Sequence, residues 1–210
     1  MVVAVIPIKE HSERVPGKNF RVLKGRPLYE YIFETLSQSK YIEEVYVDTD
    51  VPHRFDTKKY GIKIIERPEE LRGDMVSVND LLAYDISLIK SSVFLETHVT
   101  NPLLKVETVD ACIKKFFDKN SESMFTVTPH YKRFWSLEKK PINHNPKELL
   151  RSQDLKPVYE DNSCIYLFTR RFFERNKVRM NESSDLFVMN PDEALDIDTE
   201  MEWRLVECMM

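Results

Sequence analysis

The sequence predicts an α/β fold, a three-layer α/β/α domain with a mainly parallel sheet, and three observations lead to this prediction. The chain begins with a continuous valine-rich apolar run, Val2–Ile8, which is typical of a strand buried on both faces. Short apolar runs and segments of helical periodicity then alternate along most of the chain. The length of 210 residues suits one hydrophobic core, so we expect residues 1–210 to form a single domain.

The other elements follow from periodicity and from helix start and stop signals. The first predicted helix has Pro27 in its first turn, and a later helix begins after a capping-box-like start at Ser77. The predicted strands after the first are 44–47, 62–65, 93–95, 124–127, 164–168 and 186–189. The predicted helices are 27–39, a short segment ending at Tyr60, 78–89, 106–117 and one that starts at Thr199.

The alternation of strands and helices fails between residues 129 and 162. This stretch contains several aromatic residues, scattered basic residues and prolines at 141, 146 and 157 in addition to Pro129. It is better interpreted as a hairpin or arm than as another βα unit. Phe134 and Trp135 have no place in a βα core, and together they would form the apolar patch of an interface, so we expect a homodimer.

Composition excludes several classes of protein. Acidic residues outnumber basic ones by 35 to 31, so we expect no nucleic-acid partner. The three cysteines are widely spaced and form no CxxC pair, which is typical of reduced thiols in a cytoplasmic protein. No apolar stretch approaches the length of a membrane span, and the first apolar run is too short for a signal sequence.

A basic loop, residues 11–28, follows the first strand and contains a Pro16-Gly17 turn that lets the backbone approach a ligand. Ligands of open parallel sheets bind outside the carboxyl ends of the strands, which is where this loop lies. Neither a GxxxxGK[ST] nor a GxGxxG motif is present. The loop is therefore either an unusual phosphate-binding loop or a solvated basic surface. The cations around the Pro16-Gly17 turn are Lys9, Arg14, Lys18 and Arg21.

An acidic pair lies near the other end of the chain, in Ala194-Leu195-Asp196-Ile197-Asp198-Thr199. In an extended segment, Asp196 and Asp198 point to one side while Leu195 and Ile197 face the core. Two carboxylates on one side favour a divalent cation, and oxygen ligands suit Mg²⁺. The alternative is that the pair ends a strand and caps the helix that starts at Thr199. A phosphate loop together with a magnesium pair predicts chemistry on a nucleoside triphosphate.

Several motifs, in this order and spacing, resemble those of the acylneuraminate cytidylyltransferase (CMP-sialic acid synthetase) family over nearly the whole chain. The family's Ser-x-x-x-Pro-x-Lys-Asn loop is matched by Ser12, Pro16, Lys18 and Asn19. Its Ser-Thr-Asp strand end is similar to Asp48-Thr49-Asp50, and its Arg-Pro-x-x-Leu is similar to the segment from Arg67 to Leu71, which Asp74 and Ser77 follow. Its Asp-Ile-Asp-Thr is present unchanged at Asp196 to Thr199.

The resemblance implies a nucleotidyltransferase of the GT-A or Rossmann-like fold class. Such an enzyme couples CMP from CTP to the anomeric hydroxyl of a 2-keto-3-deoxy sugar acid and releases pyrophosphate. The implied nucleotide contacts are Ser12, Lys18, Asn19, Arg67 and Ser77, with Arg67 at the cytosine. Asp196 and Asp198 would hold magnesium, and Asp198 would also help to deprotonate the sugar hydroxyl. The implied sugar-side residues are His98, Thr100, Asn101, Asn162 and, from the dimerisation arm, Arg151 as a clamp for the sugar's carboxylate.

The departures from the family pattern lie around the phosphate and the sugar. Lys9 stands where the family has arginine, which keeps the charge but loses the bidentate fork, and Arg14 supplies a second cation. His98 replaces a glutamine, so either an imidazole faces the sugar instead of an amide or His98 is a hydrogen-bonded core histidine. Two alternatives stay open: a 3-deoxy-manno-octulosonate-type cytidylyltransferase, whose basic loop is similar, and a non-catalytic nucleotide-binding protein.

Overall fold

The central sheet of the computed structural model, which describes residues 2–210, has seven strands, and a two-stranded hairpin accompanies it. The strands are β1 (Val2–Ile8), β2 (Val22–Leu23), β3 (Arg26–Pro27), β4 (Ile42–Thr49), β5 (Lys63–Glu66), β6 (Val93–Thr97), β7 (Ser123–His130), β8 (Val158–Thr169) and β9 (Asp185–Val188). The helices are α1 (Tyr29–Ser37), α2 (Val78–Leu88), α3 (Val106–Asp118), α4 (Arg170–Asn176) and α5 (Glu200–Met209).

The strand order across the sheet is β5-β4-β1-β6-β8-β7-β9. The neighbours β5, β4, β1 and β6 run parallel to one another, and β7 runs parallel to β9. β8 is antiparallel to both β6 and β7. The prediction of a mainly parallel sheet is therefore confirmed, with β8 as its reversed strand.

The two faces of the sheet are covered by different helices. Alternate residues of β1 point to opposite faces, as the pleat requires: Ala4 and Ile6 pack with α1 and α3, while Val3 and Val5 pack with α2 and α4. Both sets of side chains are fully buried, which explains why β1 reads as an unbroken apolar run. The three-layer α/β/α prediction is confirmed.

A third apolar cluster lies away from the sheet and joins the two ends of the chain. Val15 and Leu23 of the first loop pack with Ile197 and with Trp203 and Val206 of α5. The loop that follows β1 and the segment that precedes α5 are thus held against each other by apolar burial. Two segments almost 180 residues apart in sequence come together in this way.

The first helix begins two residues later than the sequence predicts. Residues Arg26–Pro27 pair with Val22–Leu23 as a hairpin, and α1 starts at Tyr29. Lys24 and Gly25 both have positive φ, 44° and 91°, which is the geometry of a two-residue hairpin turn. The placement of Pro27 in a helical first turn is therefore wrong, because the preceding turn directs the chain into a strand.

The predicted excursion at 129–162 is shorter than expected, because both of its ends belong to strands. β7 continues to His130, and β8 begins at Val158, opposite it. The arm proper is residues 131–157, which contain an isolated bridge between Trp135 and Pro141. The sequence analysis also missed α4, a short helix directly after β8. Within residues 2–210, no helix combines the length and apolar character needed to cross a lipid bilayer.

Candidate active site

The basic loop after β1 is folded tightly over the carboxyl end of the sheet. Gly17 adopts the left-handed conformation, with φ 63°, and starts a single 3-10 turn over Lys18–Phe20. Val15 is fully buried, and its carbonyl accepts a hydrogen bond from the backbone N–H of Lys18. The buried Asn19 donates from Nδ2 to the carbonyl of Lys9 at 2.8 Å. The loop is therefore an ordered structure that brings Lys9, Lys18 and Asn19 together.

Lys18 connects this loop to the acidic segment. Its ammonium donates to the carbonyl of Ile197 at 2.7 Å and to Asp198 Oδ1 at 3.0 Å, and its side chain is only 13% exposed. Arg14 Nη2 lies 2.7 Å from the same oxygen of Asp198 and is largely exposed. Asp198 is thus neutralised by two cations of the protein itself. The first loop supplies both of them.

The acidic segment has the alternation that the sequence predicts. Ile197 is fully buried, and its N–H donates to the carbonyl of Thr100 at 2.9 Å. Asp196 and Asp198 line the same cleft on the other side of the segment. A capping box between Thr199 and Glu202 starts α5 directly after the pair. The pair is therefore held between a β6 loop on one side and a helix start on the other.

Asp196 has an unused oxygen. Its Oδ1 is buried and has no hydrogen-bond partner among residues 2–210. Burial raises the pKa of Asp196, and the nearby Asp198 carboxylate raises it further, against the opposing effects of Thr100, His98 and Lys18. A carboxylate oxygen in this position fits a bound cation, because a cation would offset both the burial and the repulsion between the two carboxylates.

The cleft has a volume of about 330 Å³ and lies beyond the carboxyl ends of β1 and β6, where ligands of open α/β sheets bind. Its lining residues are Pro7, Lys9, Ser12, Arg14, Lys18, Asn19, His98, Val99, Thr100, Ser163, Asp196 and Asp198. A second cavity of about 470 Å³ lies on the other side of the two aspartates and includes Asn162 and Ser163 in its walls. The two aspartates therefore lie between the 330 Å³ cleft, which has three cations in its wall, and the 470 Å³ cavity, whose wall is more acidic.

Lys9 and Ser12 lie on the phosphate-loop side of the cleft. Lys9 forms an ion pair with Asp74, which His11 Nδ1 also approaches at 3.5 Å. Ser12 is nearly buried and lines the cleft. At the outer rim, His11, Glu13 and Asp74 form the one group of three potential metal ligands found among residues 2–210, and all three are exposed.

Arg67 and Ser77 lie outside the lining of the 330 Å³ cleft. Arg67 is 3% exposed, and its guanidinium donates from Nε and Nη2 to the carboxylate of Asp48, with Nη2 2.9 Å from Oδ2. Ser77 caps α2 by accepting from the N–H of Asp80. The Arg67 side chain therefore forms a buried ion pair at the carboxyl end of β4.

Sequence reasoning missed Asp85, a fully buried residue of α2. Neither of its carboxylate oxygens has a hydrogen-bond partner in the described chain. Burial raises the pKa of Asp85 to about 8, and the negative charge of Asp48 adds to the increase. An acidic residue on the apolar face of a predicted helix was the signal that could have found it.

The predicted sugar-side residues separate into two groups. His98 and Thr100 line the cleft. Asn101 is fully buried, with both amide atoms unpaired among residues 2–210, and is absent from the cleft wall. Asn162 is hydrogen-bonded between the hydroxyls of two buried threonines of β7 and reaches the second cavity. Arg151 is exposed on the arm, paired with Asp154, and lines neither cavity.

Comparison with known proteins identifies the family. The family model described as "Cytidylyltransferase" matches residues 3–206. The CMP-N,N'-diacetyllegionaminic acid synthase of Legionella pneumophila is 30% identical, covering 100% of this chain and 96% of the relative. The pseudaminic acid cytidylyltransferase of Campylobacter jejuni is 27% identical, covering 94% and 90%.

A solved structure shares the fold. The structure of CMP:2-keto-3-deoxy-manno-octonic acid synthetase complexed with CTP superposes with a TM-score of 0.71 at 18% identity, covering 100% of this chain and 98% of that one. These matches confirm the family resemblance that the motifs indicated and the nucleotidyltransferase fold. Since the family model spans almost the entire length, this chain belongs to the cytidylyltransferase family and is a nucleotidyltransferase enzyme.

Proposed function

We propose that this cytidylyltransferase transfers CMP from CTP to the anomeric hydroxyl of a sialic-acid-like 2-keto-3-deoxy sugar acid and releases pyrophosphate. The observation that carries the proposal is the single cleft in which Lys9, Arg14 and Lys18 stand opposite Asp196 and Asp198. Cations on one wall suit a triphosphate, and an acidic pair on the other suits a metal ion that accompanies it. The named relatives that act on legionaminic and pseudaminic acids support an acceptor of the sugar-acid class.

The triphosphate is assigned to the loop after β1. Lys18, Arg14 and Lys9 provide positive charge there, and Lys18 is held nearly buried, where an ionic contact is screened less by water. Asn19 and Ser12 add polar groups on the same wall. Together these side chains neutralise and orient the phosphates, which is most of what a protein contributes to nucleotidyl transfer.

Magnesium is assigned to Asp196 and Asp198. The unpartnered oxygen of Asp196 and the presence of both carboxylates in the cleft fit an oxygen-binding cation. When bound, magnesium supplies neutralisation of the charge that develops on phosphate oxygens. Asp198, which Lys18 and Arg14 hold at the cleft, is also the carboxylate assigned to take the proton of the attacking sugar hydroxyl.

The acceptor is assigned to the β6 side of the cleft, beside His98 and Thr100. Arg151 lies outside the cleft of its own chain. Its proposed role as a clamp for the sugar's carboxylate therefore requires the arm of a second copy, so this role depends on the proposed homodimer. Asn162 belongs to the wall of the second cavity, which would receive the part of the sugar farthest from the phosphates.

The decisive experiment is a pyrophosphate-release assay with CTP, magnesium and a panel of acids. The panel contains N-acetylneuraminate, N,N'-diacetyllegionaminate, pseudaminate and 3-deoxy-manno-octulosonate. Turnover with one of the first three is the expected result. Preference for the fourth would establish the alternative acceptor class, and release with none of them would favour a nucleotide-binding protein without catalysis.

The nucleotide should be CTP. We expect CTP to be used at least about tenfold better than UTP, ATP or GTP, because buried polar groups at a base site are left unpaired by the wrong base. The polar groups assigned to the base are Arg67, oriented by Asp48, and Ser77. Comparison of kcat/KM for the four nucleotides with one acceptor checks this. Equal use of CTP and UTP would contradict it.

The arm should mediate a two-fold dimer. It exposes several large apolar side chains: Tyr131, Trp135, Leu137, Ile142, Leu149 and Leu150. Several exposed apolar side chains concentrated on one arm are typical of an interface. Light scattering at micromolar concentration should give twice the mass of one chain. Leu149→Asp should shift the mass toward the monomer, whereas Leu88→Asp, also at an exposed leucine but outside the arm, should not. A monomeric mass for the unaltered protein would contradict the dimer.

A further inference from the structure

A fully buried glutamate lies behind the cleft, on the strand that carries His98. Glu96 of β6 has no solvent exposure. Its Oε2 is paired with the guanidinium of Arg179, and its Oε1 lies 3.1 Å from Nε2 of His98. Oε1 is buried, and no residue in 2–210, His98 included, donates a well-aligned hydrogen bond to it. A buried carboxylate oxygen is costly without a donor, and Nε2 of His98 lies 3.1 Å away, so a small rotation of the imidazole would let His98 satisfy it.

Arg179 is itself held in place, so Glu96 has little freedom. The guanidinium of Arg179 stacks on the ring of Tyr166, with its carbon 3.5 Å from the ring centroid. Tyr166 lies opposite Glu96 in the register between β6 and β8, and its hydroxyl donates to Asp161. The backbone N–H of Arg179 donates to the side chain of Asn79. The side of Glu96 that faces away from the cleft is therefore fixed by two strands and a helix start.

A hydrogen bond to Glu96 would determine which nitrogen of His98 is available. A carboxylate oxygen accepts, so Nε2 would carry the proton in that hydrogen bond. In the neutral imidazole, Nδ1 is then an acceptor with a free lone pair. His98 is partly exposed and lines the cleft, where the carboxylate of Asp196 is its charged neighbour. With Nε2 bonded to Glu96, the ring would present one defined acceptor atom, Nδ1, to the ligand in this part of the cleft.

The position of His98 across the sheet indicates which substrate it meets. The Asp48–Arg67 ion pair, assigned to the nucleotide base, lies at the ends of β4 and β5. His98 follows β6, which lies on the opposite side of β1. The phosphate loop after β1 is between them. A ligand next to His98 is therefore the acceptor and not the base.

We propose that Glu96, fixed by Arg179, is a positioning residue that holds His98 with Nδ1 turned to the acceptor, where it accepts a hydrogen bond from an acceptor hydroxyl. The proposal rests on the proposed function, since it assumes an acceptor with hydroxyl groups. It assigns specificity for the acceptor to an Arg179–Glu96–His98 chain whose first two members never touch the substrate.

The first test uses the unaltered protein and needs no acceptor. ¹⁵N-edited NMR of histidine-labelled protein reports the tautomer of each ring, and His98→Gln assigns the His98 signals among the five histidines. A protonated Nε2 and an unprotonated Nδ1 are expected for His98. The opposite tautomer would overturn the proposal, whether or not any sugar acid is turned over, so this test is independent of the proposed function.

The second test is kinetic, with the acid that gives turnover in the panel. Glu96→Gln lets an amide N–H donate to Nε2, which places the proton on Nδ1 and removes the acceptor atom. The KM for the acid should rise about tenfold or more, because the hydrogen bond to the acceptor hydroxyl is lost. The KM for CTP should stay unchanged within about twofold, because no contact to CTP is altered. In a His98→Ala background the same substitution should have little further effect.

The matched control is Asp110→Asn, which neutralises a largely buried carboxylate on α3 that is bonded to Ser39. It should leave both KM values unchanged. If the folded Glu96→Gln protein has an unchanged KM for the acid, or if its KM values for CTP and for the acid rise equally, then Glu96 serves only as a structural ion-pair partner. If Glu96→Gln does not fold, Arg179→Lys with the tautomer readout replaces it. The His98 tautomer should then be retained only if the ion pair between residue 179 and Glu96 survives. If the tautomer is lost while the KM for the acid stays unchanged, the proposal is refuted.

Discussion

Replacing Asp198 by asparagine is expected to lower turnover by roughly 100- to 1000-fold or more, the loss typical of removing one electrostatic stabiliser from an active site. Asparagine keeps the shape of the side chain but removes the charge that a metal ion requires. The fold should survive, because the capping box of α5 is formed by Thr199 and Glu202 and does not use the Asp198 carboxylate.

The structure adds a second consequence of this substitution. Asp198 Oδ1 is the oxygen that Lys18 and Arg14 share. Loss of its charge releases both cations to the phosphates, so CTP binding without magnesium should be equal to or tighter than in the unaltered protein. The increase in CTP affinity that magnesium produces should shrink. If the variant lost CTP binding both with and without magnesium, the substitution would instead have displaced the basic loop.

The measurements are pyrophosphate release and CTP affinity by calorimetry, each with and without magnesium. Asp192→Asn is the matched control, since it is the same chemical change at an exposed aspartate of the same segment and should leave turnover unchanged. Near-normal, magnesium-dependent turnover of Asp198→Asn would mean that the aspartate pair is structural. The proposed metal would then require other ligands.

Removing the ammonium of Lys18 is expected to weaken CTP binding by about 1.5–3 kcal/mol, the range for a hydrogen bond to a charged group, or roughly 10- to 150-fold. Lys18→Ala leaves the loop anchored through Val15 and Gly17, whose contacts are made by backbone and apolar atoms. It also leaves Asp198 with Arg14 as its remaining cation. The loss should therefore appear in CTP affinity measured without magnesium.

The control for Lys18→Ala is a lysine further along the same segment. Lys24 is exposed in the hairpin turn, with φ 44°, so alanine would be strained there, and asparagine, which tolerates this conformation, is the better substitution. Lys24→Asn should change CTP affinity little. Lys18 could alternatively serve only to hold Asp198. In that case Lys18→Ala would lower the melting temperature while metal-free CTP affinity stayed close to that of Lys24→Asn.

The fold was predictable because its determinants are local. The apolar run of β1 and the stripe of α3 each require one particular element and one buried face. The first turn of α1 and the limits of the arm were not predictable in this way. Pro27 suits a helix start and a hairpin strand equally well, and the positive φ of Lys24 decides between them. β8 was predicted too short, because its first four residues are not buried and show no strand periodicity.

The candidate site was predictable in its chemical groups and less so in their contacts. The basic loop and the aspartate pair were found from residue types and alternation. No cation stands next to Asp198 in sequence, but two cations reach it in the fold. Lys18 and Arg14 approach it from the other end of the chain. The magnesium prediction now depends on the unpartnered oxygen of Asp196.

Sequence alone determined the layered α/β fold, the cytidylyltransferase motifs and the two segments that carry the charges of the cleft, because periodicity and motif spacing are properties of neighbouring residues. Only the tertiary structure decided which charges meet. Burial of Val15, Ile197 and Trp203 in one cluster brings Lys18 against Asp198, and the pairing of β6 with β8 places Glu96 between Arg179 and His98. Such contacts join residues far apart in the chain, and packing of the apolar core selects them, so no local pattern encodes them.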